Sequence, residues 1–186
     1  MTTPVFEDRP ETARGRTLYR ALLAVHSHIR SELLGVERLV ATVLDGLPAD
    51  ELNQELEALR SNSMLWQLQV NCLRYCRFVH LHHHAEDADF FGELEETNPA
   101  LGPVIERLRA EHRKVSDYLD TVEAAARALT GENSLAARRD VADALEALAG
   151  HLLAHLDYEE RSVAATARRL RDLPSSTHFP TREDHQ

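Results

Sequence analysis

The amino-acid sequence predicts an all-α fold, an antiparallel up-down-up-down four-helix bundle with a short extra helix between the first and second long helices. Over four long stretches, apolar residues recur every three or four positions, which is the period of a helix with one buried face. Short breaks rich in Gly, Pro, Asn or Ser separate these stretches. Only 5% of the 186 residues are aromatic, and this length and composition suit one helical domain rather than a β-sandwich.

The first long helix is predicted from Arg14 to Asp45. Residues 1–13 contain two prolines and scattered charges without an apolar period, so we expect a flexible arm there. Gly46 and Pro48 end the helix, because glycine favours the left-handed cap and proline cannot continue the hydrogen-bond ladder. The apolar stripe of this helix consists of Leu18, Leu22, Val25, Ile29, Leu33, Val36, Val40 and Val43.

The short extra helix and the second long helix come next. The short helix is predicted over residues 49–60, whose acidic residues suit the N-terminal end of a helix. A break at residues 61–63, which contains two serines and an asparagine, then caps the second long helix. That helix is predicted from Met64 to Phe91. Gly92 and an Asn-Pro pair mark the connection after it.

The third and fourth long helices have the clearest stripes. The third is predicted from Pro99 to Thr130 and the fourth from Leu135 to Arg171. The stripe of the third consists of Leu101, Ile105, Leu108, His112, Val115, Leu119 and Val122. The stripe of the fourth consists of Val141, Leu145, Leu148, Leu152, His155, Glu159 and Val163. We therefore expect the bundle to span residues 14–171 and a disordered tail to cover residues 172–186.

Charge and composition exclude several classes of partner. The chain has 31 acidic and 21 basic residues, for a net charge of −10, which opposes non-specific binding to nucleic acid or to an anionic membrane surface. It has neither an apolar stretch of about 20 residues nor the apolar core of a signal peptide. Two cysteines cannot form a disulfide framework. We therefore expect a cytoplasmic protein without nucleic-acid or membrane partners, either a monomer or a dimer.

Histidines and glutamates interrupt the apolar stripes, although burying a polar side chain costs free energy unless it is paired or ligated. The second and fourth long helices each carry a His-x-x-x-Glu pair, and the first and third carry the single histidines His28 and His112. Four residues correspond to about 400° of rotation and 6 Å of rise, so both members of a pair face the same way. The paired residues are His82 with Glu86 and His155 with Glu159.

This pattern predicts two half-sites that converge inside the bundle, each with two histidines and one carboxylate. Imidazole and carboxylate ligands together suit iron, manganese or zinc, and bundle cores commonly hold two such ions. The two glutamates could bridge the ions and leave coordination positions open for O2, peroxide or NO. The candidate metal ligands are His28, His82, Glu86, His112, His155 and Glu159.

The segments 28–30, 82–87, 111–113 and 155–160 together resemble the hemerythrin, or HHE cation-binding, domain. The resemblance covers about residues 14–171 and is similar in pattern to actinobacterial hemerythrin-like proteins. It implies an up-down four-helix bundle with a non-haem di-iron centre, in which an oxo or hydroxo group also bridges the two iron ions. It further implies that the six candidate residues are the iron ligands and that both glutamates are bridges.

The sequence differs from the oxygen-carrying hemerythrins on its third helix. The carriers have a His-x-x-x-His pair there and an aspartate bridge at the end, whereas this chain has His112 followed by Ser116. Relatives with the symmetric pattern are associated with peroxide or nitric-oxide chemistry and with iron delivery. The resemblance therefore favours an oxidoreductase for a small oxidant, by peroxide disproportionation or NO-dependent peroxide reduction. The alternative is a protein that binds O2 or NO, senses iron or donates iron without turnover.

The register of the second long helix leaves one alternative open. His83 is rotated by about 100° from His82 and could replace it, with Asp87 taking the place of Glu86. If the first register holds, Asp87 and Glu160 point away from the metal ions, and their amide variants should behave nearly as the wild type.

Other residues near the predicted site have less specific interpretations. His151 lies one turn before His155 and is either an additional ligand or a residue beside the ligands. We expect His26 and His84 at the surface. Tyr75 either orders a bound ligand or packs in the core, and the two cysteines, four residues apart on one helix, are predicted to be buried thiols.

Overall fold

The computed structural model describes residues 9–45, 54–129 and 135–171, and all regular structure within these ranges is helical. Its α-helices are α1 (Ala13–Asp45), α2 (Gln54–Ala85), α3 (Phe91–Thr97), α4 (Gly102–Ala128) and α5 (Leu135–Ala167). A π-helical turn (Glu86–Phe90) joins α2 to α3, and a 3₁₀ turn (Pro99–Leu101) precedes α4. Helices α1 and α4 each pack against both α2 and α5, so the predicted four-helix bundle is confirmed.

The predicted stripes form the core of the bundle. All the residues predicted on the stripes of α4 and α5 are buried, and so are both cysteines, whose thiols are free as predicted. On α1 the buried stripe instead consists of Tyr19, Leu22, His26, Ile29, Leu33, Val36, Val40 and Val43. Leu18 and Val25, which we predicted on that stripe, are only half-buried.

The core consists of two apolar clusters with a polar layer between them. The larger cluster contains Ile29 and Val115, and the smaller one contains Leu22 and Leu108. His26 lies between Leu22 and Ile29 on α1, and His112 lies between Leu108 and Val115 on α4 in the same way. The layer therefore crosses the bundle where buried histidines replace apolar residues on the stripes.

Helix boundaries differ from the prediction mainly around α2. The helix is continuous from Gln54, so the break expected at residues 61–63 is absent, and residues 49–53 of the expected short helix lie outside the described residues. Helical structure also continues past Gly92 to Thr97. The π-helical turn contributes one extra residue and rotates the next helix, so that Phe91 and Leu94 are fully buried.

The first described residues pack against the end of α5. The Thr12 N–H donates to the carbonyl of Arg168 at 2.9 Å, and the Thr12 hydroxyl donates to the carbonyl of Leu170 at 2.6 Å. Residues 9–12 of the predicted arm therefore contact the bundle, whereas residues 1–8 and the predicted tail lie outside the described residues. In the described part of the chain, no helix has an apolar stretch of sufficient length to traverse a bilayer.

Candidate metal centre

Each of the four long helices contributes buried polar side chains to the layer. Helix α1 contributes His26, which is fully buried, and α4 contributes His112. Helix α2 and the π-helical turn contribute His82, His83 and Glu86, and α5 contributes His155 and Glu159. These residues, which are far apart in the sequence, meet because the apolar stripes on either side of them face the same axis.

The two glutamates lie in the middle of this layer. His82 Nε2 is 3.2 Å from Glu86 Oε1, and His26 Nε2 is 3.7 Å from the same oxygen. The other oxygen of Glu86 is 3.6 Å from His112 Nε2. Glu159 Oε2 is 3.6 Å from His26 Nε2 and 3.7 Å from His155 Nε2. Each carboxylate therefore lies between histidines of different helices.

Three overlapping groups of donor atoms within the layer are compact enough to hold a metal ion, since the atoms of each group lie within 4.8 Å of one another. The groups are His83, His112 and His155; His26, His82 and Glu86; and Glu86, His112 and Glu159. Because Glu86 occurs in two groups and His112 in two, the groups form one continuous cluster.

Among the described residues, the donor atoms of this centre have no hydrogen-bond partner with good geometry. This holds for the Nε2 atoms of His26, His82, His83, His112 and His155 and for all four oxygens of Glu86 and Glu159. A buried polar atom without a partner costs about 1–3 kcal/mol, and native proteins leave few of them. Nine such atoms in one place need further partners, and imidazole nitrogens and carboxylate oxygens are donors that first-row metal ions bind.

The family model for the hemerythrin HHE cation binding domain matches residues 50–167 of the chain. The chain belongs to the hemerythrin family. No curated protein and no solved structure gives a significant match. Because the matched region begins after α1, the place of His26 in this hemerythrin site rests on the geometry rather than on the family match.

Three histidines of the hemerythrin centre form hydrogen bonds with carboxylates through Nδ1, the ring nitrogen that is not among the donor atoms of the centre. The Nδ1–H of His26 donates to Glu160 at 2.9 Å, and that of His112 donates to Asp87 at 3.1 Å. The Nδ1–H of His155 donates to Glu111 at 3.2 Å. With a proton on Nδ1, each ring keeps the lone pair of Nε2 for a metal ion.

Burial sets the protonation of the imidazoles. It lowers the pKa of His26 to about 2, that of His82 to about 4 and that of His112 to about 3, with smaller contributions from neighbouring charges. Burial also lowers the pKa of His83 and of His155. The five rings are therefore neutral near neutral pH, which is the form that binds metal ions.

Burial has the opposite effect on the two glutamates, since it raises the pKa of Glu86 and of Glu159. The negative charge of Glu159 raises the pKa of Glu86 further. Two neighbouring buried carboxylates cannot both stay ionised without a compensating positive charge. Bound cations would supply that charge and reverse the shift.

The structure brings together five of the six predicted ligands, namely His82, Glu86, His112, His155 and Glu159. It places the sixth, His28, outside the centre, on the exposed side of α1 with its ring centroid 5.2 Å from that of Phe78. Two residues of α-helix correspond to about 200° of rotation, so His26 and His28 point in nearly opposite directions.

His26 is the residue that the sequence interpretation missed, and the prediction that it lies at the surface was wrong. The signal was present, because His26 comes four residues after Leu22 and three before Ile29, as a member of the stripe must. Assigning Val25 to the stripe instead displaced the pattern by one residue and moved the predicted ligand to the wrong face.

His83 joins the centre without replacing His82. Its ring stacks on that of His112 with centroids 4.1 Å apart and an angle of 10° between the planes. Because Asp87 accepts a hydrogen bond from Nδ1 of His112, it does not take the place of Glu86. The alternative register is therefore not what the structure shows, and both histidines face inward.

The remaining candidates lie away from the donor groups. His151 is half-buried with its ring centroid 5.4 Å from that of Tyr118, and it belongs to none of the three groups. Tyr75 is buried in the larger apolar cluster, and its hydroxyl has no hydrogen-bond partner among the residues that the structure describes. His84 is exposed, as predicted.

Proposed function

We propose that this hemerythrin domain binds two iron ions in the polar layer and uses them to react with a small oxidant. The ligands would be His26, His82, His83, His112, His155, Glu86 and Glu159. The observation that carries this proposal is the convergence of nine buried donor atoms that have no hydrogen-bond partner with good geometry in the described part of the chain. Imidazole and carboxylate suit iron, and family membership favours it over manganese or zinc.

The donor atoms divide unequally between the two ions. His26 and His82 would hold one ion together with Glu86, whereas His83, His112 and His155 would hold the other. If both glutamates bridge, the first ion has four protein ligands and the second has five. The less crowded ion would then keep an open position for an external molecule, because iron takes up to six ligands.

The favoured reaction is peroxide disproportionation, 2 H2O2 → O2 + 2 H2O. One peroxide is reduced to two waters while the other is oxidised to O2, and two electrons and two protons pass from the second to the first. When bound, the iron pair supplies a store for two electrons. The glutamates would keep the ions together, and the carboxylates of Asp87, Glu111 and Glu160 fix the orientation of three imidazoles.

A cavity of about 380 Å³ borders His82 and Glu86 and would give a small oxidant access to the centre. A substrate that is consumed continuously, and products that must leave, need such a route. The surrounding apolar clusters exclude bulk water from the other sides of the centre. No side chain is needed as a covalent nucleophile in this reaction.

Reversible binding of O2 or NO without turnover is the second candidate, and His83 is the observation that favours it. The oxygen-carrying hemerythrins complete their histidine set with a second histidine on the third helix, where this chain has Ser116. His83 would restore a fifth imidazole from α2, beside His112 and His155. The two candidates share one metal centre and differ only in whether the bound molecule is converted or released unchanged.

The test adds hydrogen peroxide to the iron-loaded protein and records the release of O2 with an oxygen electrode. We expect one O2 for every two peroxides consumed. His26→Ala should lose more than about 10-fold in rate, whereas His28→Ala should retain the wild-type rate, since His28 lies outside the centre. A reversible change in the absorption spectrum without release of O2 would contradict turnover and leave the binding function.

A further inference from the structure

The cavity beside the metal centre has apolar walls. It lies between α1 and the end of α2, and the side chains of Leu18, Leu22 and Val25 form its α1 side. Phe90, from the π-helical turn, forms part of the opposite side. This surface explains why Leu18 and Val25 are only half-buried, because they line a cavity rather than the closed core.

The deep end of the cavity reaches the proposed iron ligands. His82 and Glu86 both line it, and their side chains are 9% and 5% exposed, whereas other lining residues such as Ala21 and Asp89 are exposed. His82 and Glu86 belong to the donor group that has two histidines. The cavity therefore leads to the ion that would have the open position.

The π-helical turn forms part of this approach. It begins at Glu86, whose carbonyl accepts the N–H of Phe91 five residues later. A π-helical turn is wider than an α-helical one and commonly occurs at functional sites. Here Glu86, at the start of the turn, is buried in the metal centre, and Phe90, at its end, lies on the wall of the cavity.

The charges at the outer end are mainly negative. Glu93 forms an ion pair with Arg14, which also donates to the carbonyl of Arg171 at 2.9 Å. Asp89 is a second carboxylate at this end, so two acidic side chains face one guanidinium. An anion would meet this negative charge first and would then lose its hydration between apolar walls.

We propose that this cavity is the entrance through which an uncharged molecule of two to four atoms reaches the metal centre, and that its outer carboxylates disfavour anions. O2, NO and undissociated H2O2 belong to this class, whereas azide and nitrite do not. The inference rests on the proposed function, because it assigns a route to the same metal centre.

The first test measures entry without any reaction, in the full chain loaded with diamagnetic zinc. Dissolved O2 is paramagnetic, and its effect on methyl NMR relaxation reports how often it visits each methyl group. We expect a strong effect at the methyls of Leu22 and Val25. Ala21→Phe combined with Ala85→Phe narrows the cavity from both sides and should reduce this effect at least about twofold.

Ala24→Phe is the matched control, since Ala24 is an exposed alanine of α1 that does not line the cavity. It should leave the relaxation effect unchanged. If the relaxation effect in the double variant equals that of the wild type, the cavity is not the entrance. An equal reduction of the effect in Ala24→Phe would contradict the proposal as well.

The second test uses the iron-loaded protein and measures association rates by stopped-flow absorption. The double variant should bind NO at least about 10-fold more slowly than the wild type, with unchanged iron content. Asp89→Lys should speed the binding of azide several-fold and leave NO unaffected, because steering acts only on charged ligands. An azide rate unaffected by Asp89→Lys would overturn the charge selection. Failure to bind iron would contradict the proposed function. The experiment with the zinc-loaded protein would still show whether the cavity is the entrance.

Discussion

At the scale of single residues, Asp87 and Glu160 have related positions in the two halves of the centre. Each comes directly after a glutamate of the polar layer, and each bonds the Nδ1 of a histidine on a neighbouring helix, His112 and His26 respectively. Glu160 also accepts from Arg30 at 2.7 Å, which fixes its own orientation. The two His-x-x-x-Glu segments would therefore each provide a pair of proposed ligands, and each provides the carboxylate that orients the histidine of a neighbouring helix.

This arrangement predicts that Glu160→Gln weakens metal binding about 10- to 100-fold, because the amide is a poorer acceptor for the Nδ1–H and makes the imidazole a weaker ligand. Asp87→Asn should act in the same direction. Helical rotation alone predicts instead that both amide variants bind metal nearly as tightly as the wild type. Competition with a coloured chelator measures the affinity.

Asp157→Asn is the control for this prediction. Asp157 lies near Glu160 on α5 and bonds Arg30 at 2.7 Å, but it has no bond to a histidine of the centre. The Asp157→Asn variant should bind metal with the same affinity as the wild type. Equal affinity in the Glu160→Gln variant would show that the carboxylate does not tune the histidine.

At the scale of helices, α1 and α5 approach each other closely at Gly15. A Cβ atom placed on Gly15 would lie 2.4 Å from the carbonyl oxygen of Arg168 and 2.6 Å from that of Ala167. Both are backbone atoms, so they cannot move aside as a flexible side chain could. Glycine is therefore required here for packing, although Gly15 lies inside a helix.

Gly15→Ala should lower the free energy of unfolding by about 1–3 kcal/mol, as overpacking does. Gly35→Ala, in the same helix, should instead raise it by about 0.5–1 kcal/mol, because a Cβ there meets nothing within 4 Å and alanine favours the helix. Urea unfolding followed by circular dichroism measures both. A stabilised Gly15→Ala variant would contradict the close approach of α1 and α5.

The helices show what the sequence could and could not predict. Long apolar stripes indicated the four helices and the inward face of α4 and α5, because local periodicity decides which side is buried. The π-helical turn after Ala85 had no such signal, and Gly92 suggested an end where the helix continues. The bond between the Thr12 hydroxyl and the end of α5 joins residues 158 positions apart, so no local pattern could reveal it.

The candidate site was predictable to a similar degree and for the same reason. The spacing of four residues identified His82 with Glu86 and His155 with Glu159. On α1, two histidines lie two residues apart, and only the position of the buried stripe decides which of them faces inward. Including Val25 in the stripe led to the choice of His28 instead of His26. His83 could be placed only once the neighbouring helices were known, since its contact is the ring of His112.

At the scale of the whole molecule, metal ions bound in the polar layer would stabilise the folded state. Two buried carboxyl groups and five buried imidazoles separate two apolar clusters, and ions that bind only the folded state stabilise it. At a free metal-ion concentration 100 times the dissociation constant, each site contributes about 2.7 kcal/mol to the free energy of unfolding. Removing both ions should therefore lower the unfolding temperature by about 10–20 °C.

Differential scanning calorimetry of the iron-loaded and the chelator-treated protein measures this difference. Adding Fe²⁺ back without oxygen should restore the higher unfolding temperature. The His28→Ala variant should show the same difference as the wild type, because His28 lies outside the layer. Equal unfolding temperatures with and without iron would contradict a structural link between the metal ions and the bundle core.

The most direct test of the central claim is a crystal structure of the iron-loaded protein with an anomalous difference map at the iron absorption edge. We predict two peaks inside the bundle, both in contact with Glu86 and Glu159, one beside His26 and His82 and the other beside His83, His112 and His155. A single peak, or a peak at His28 with none between the two glutamates, would contradict the account.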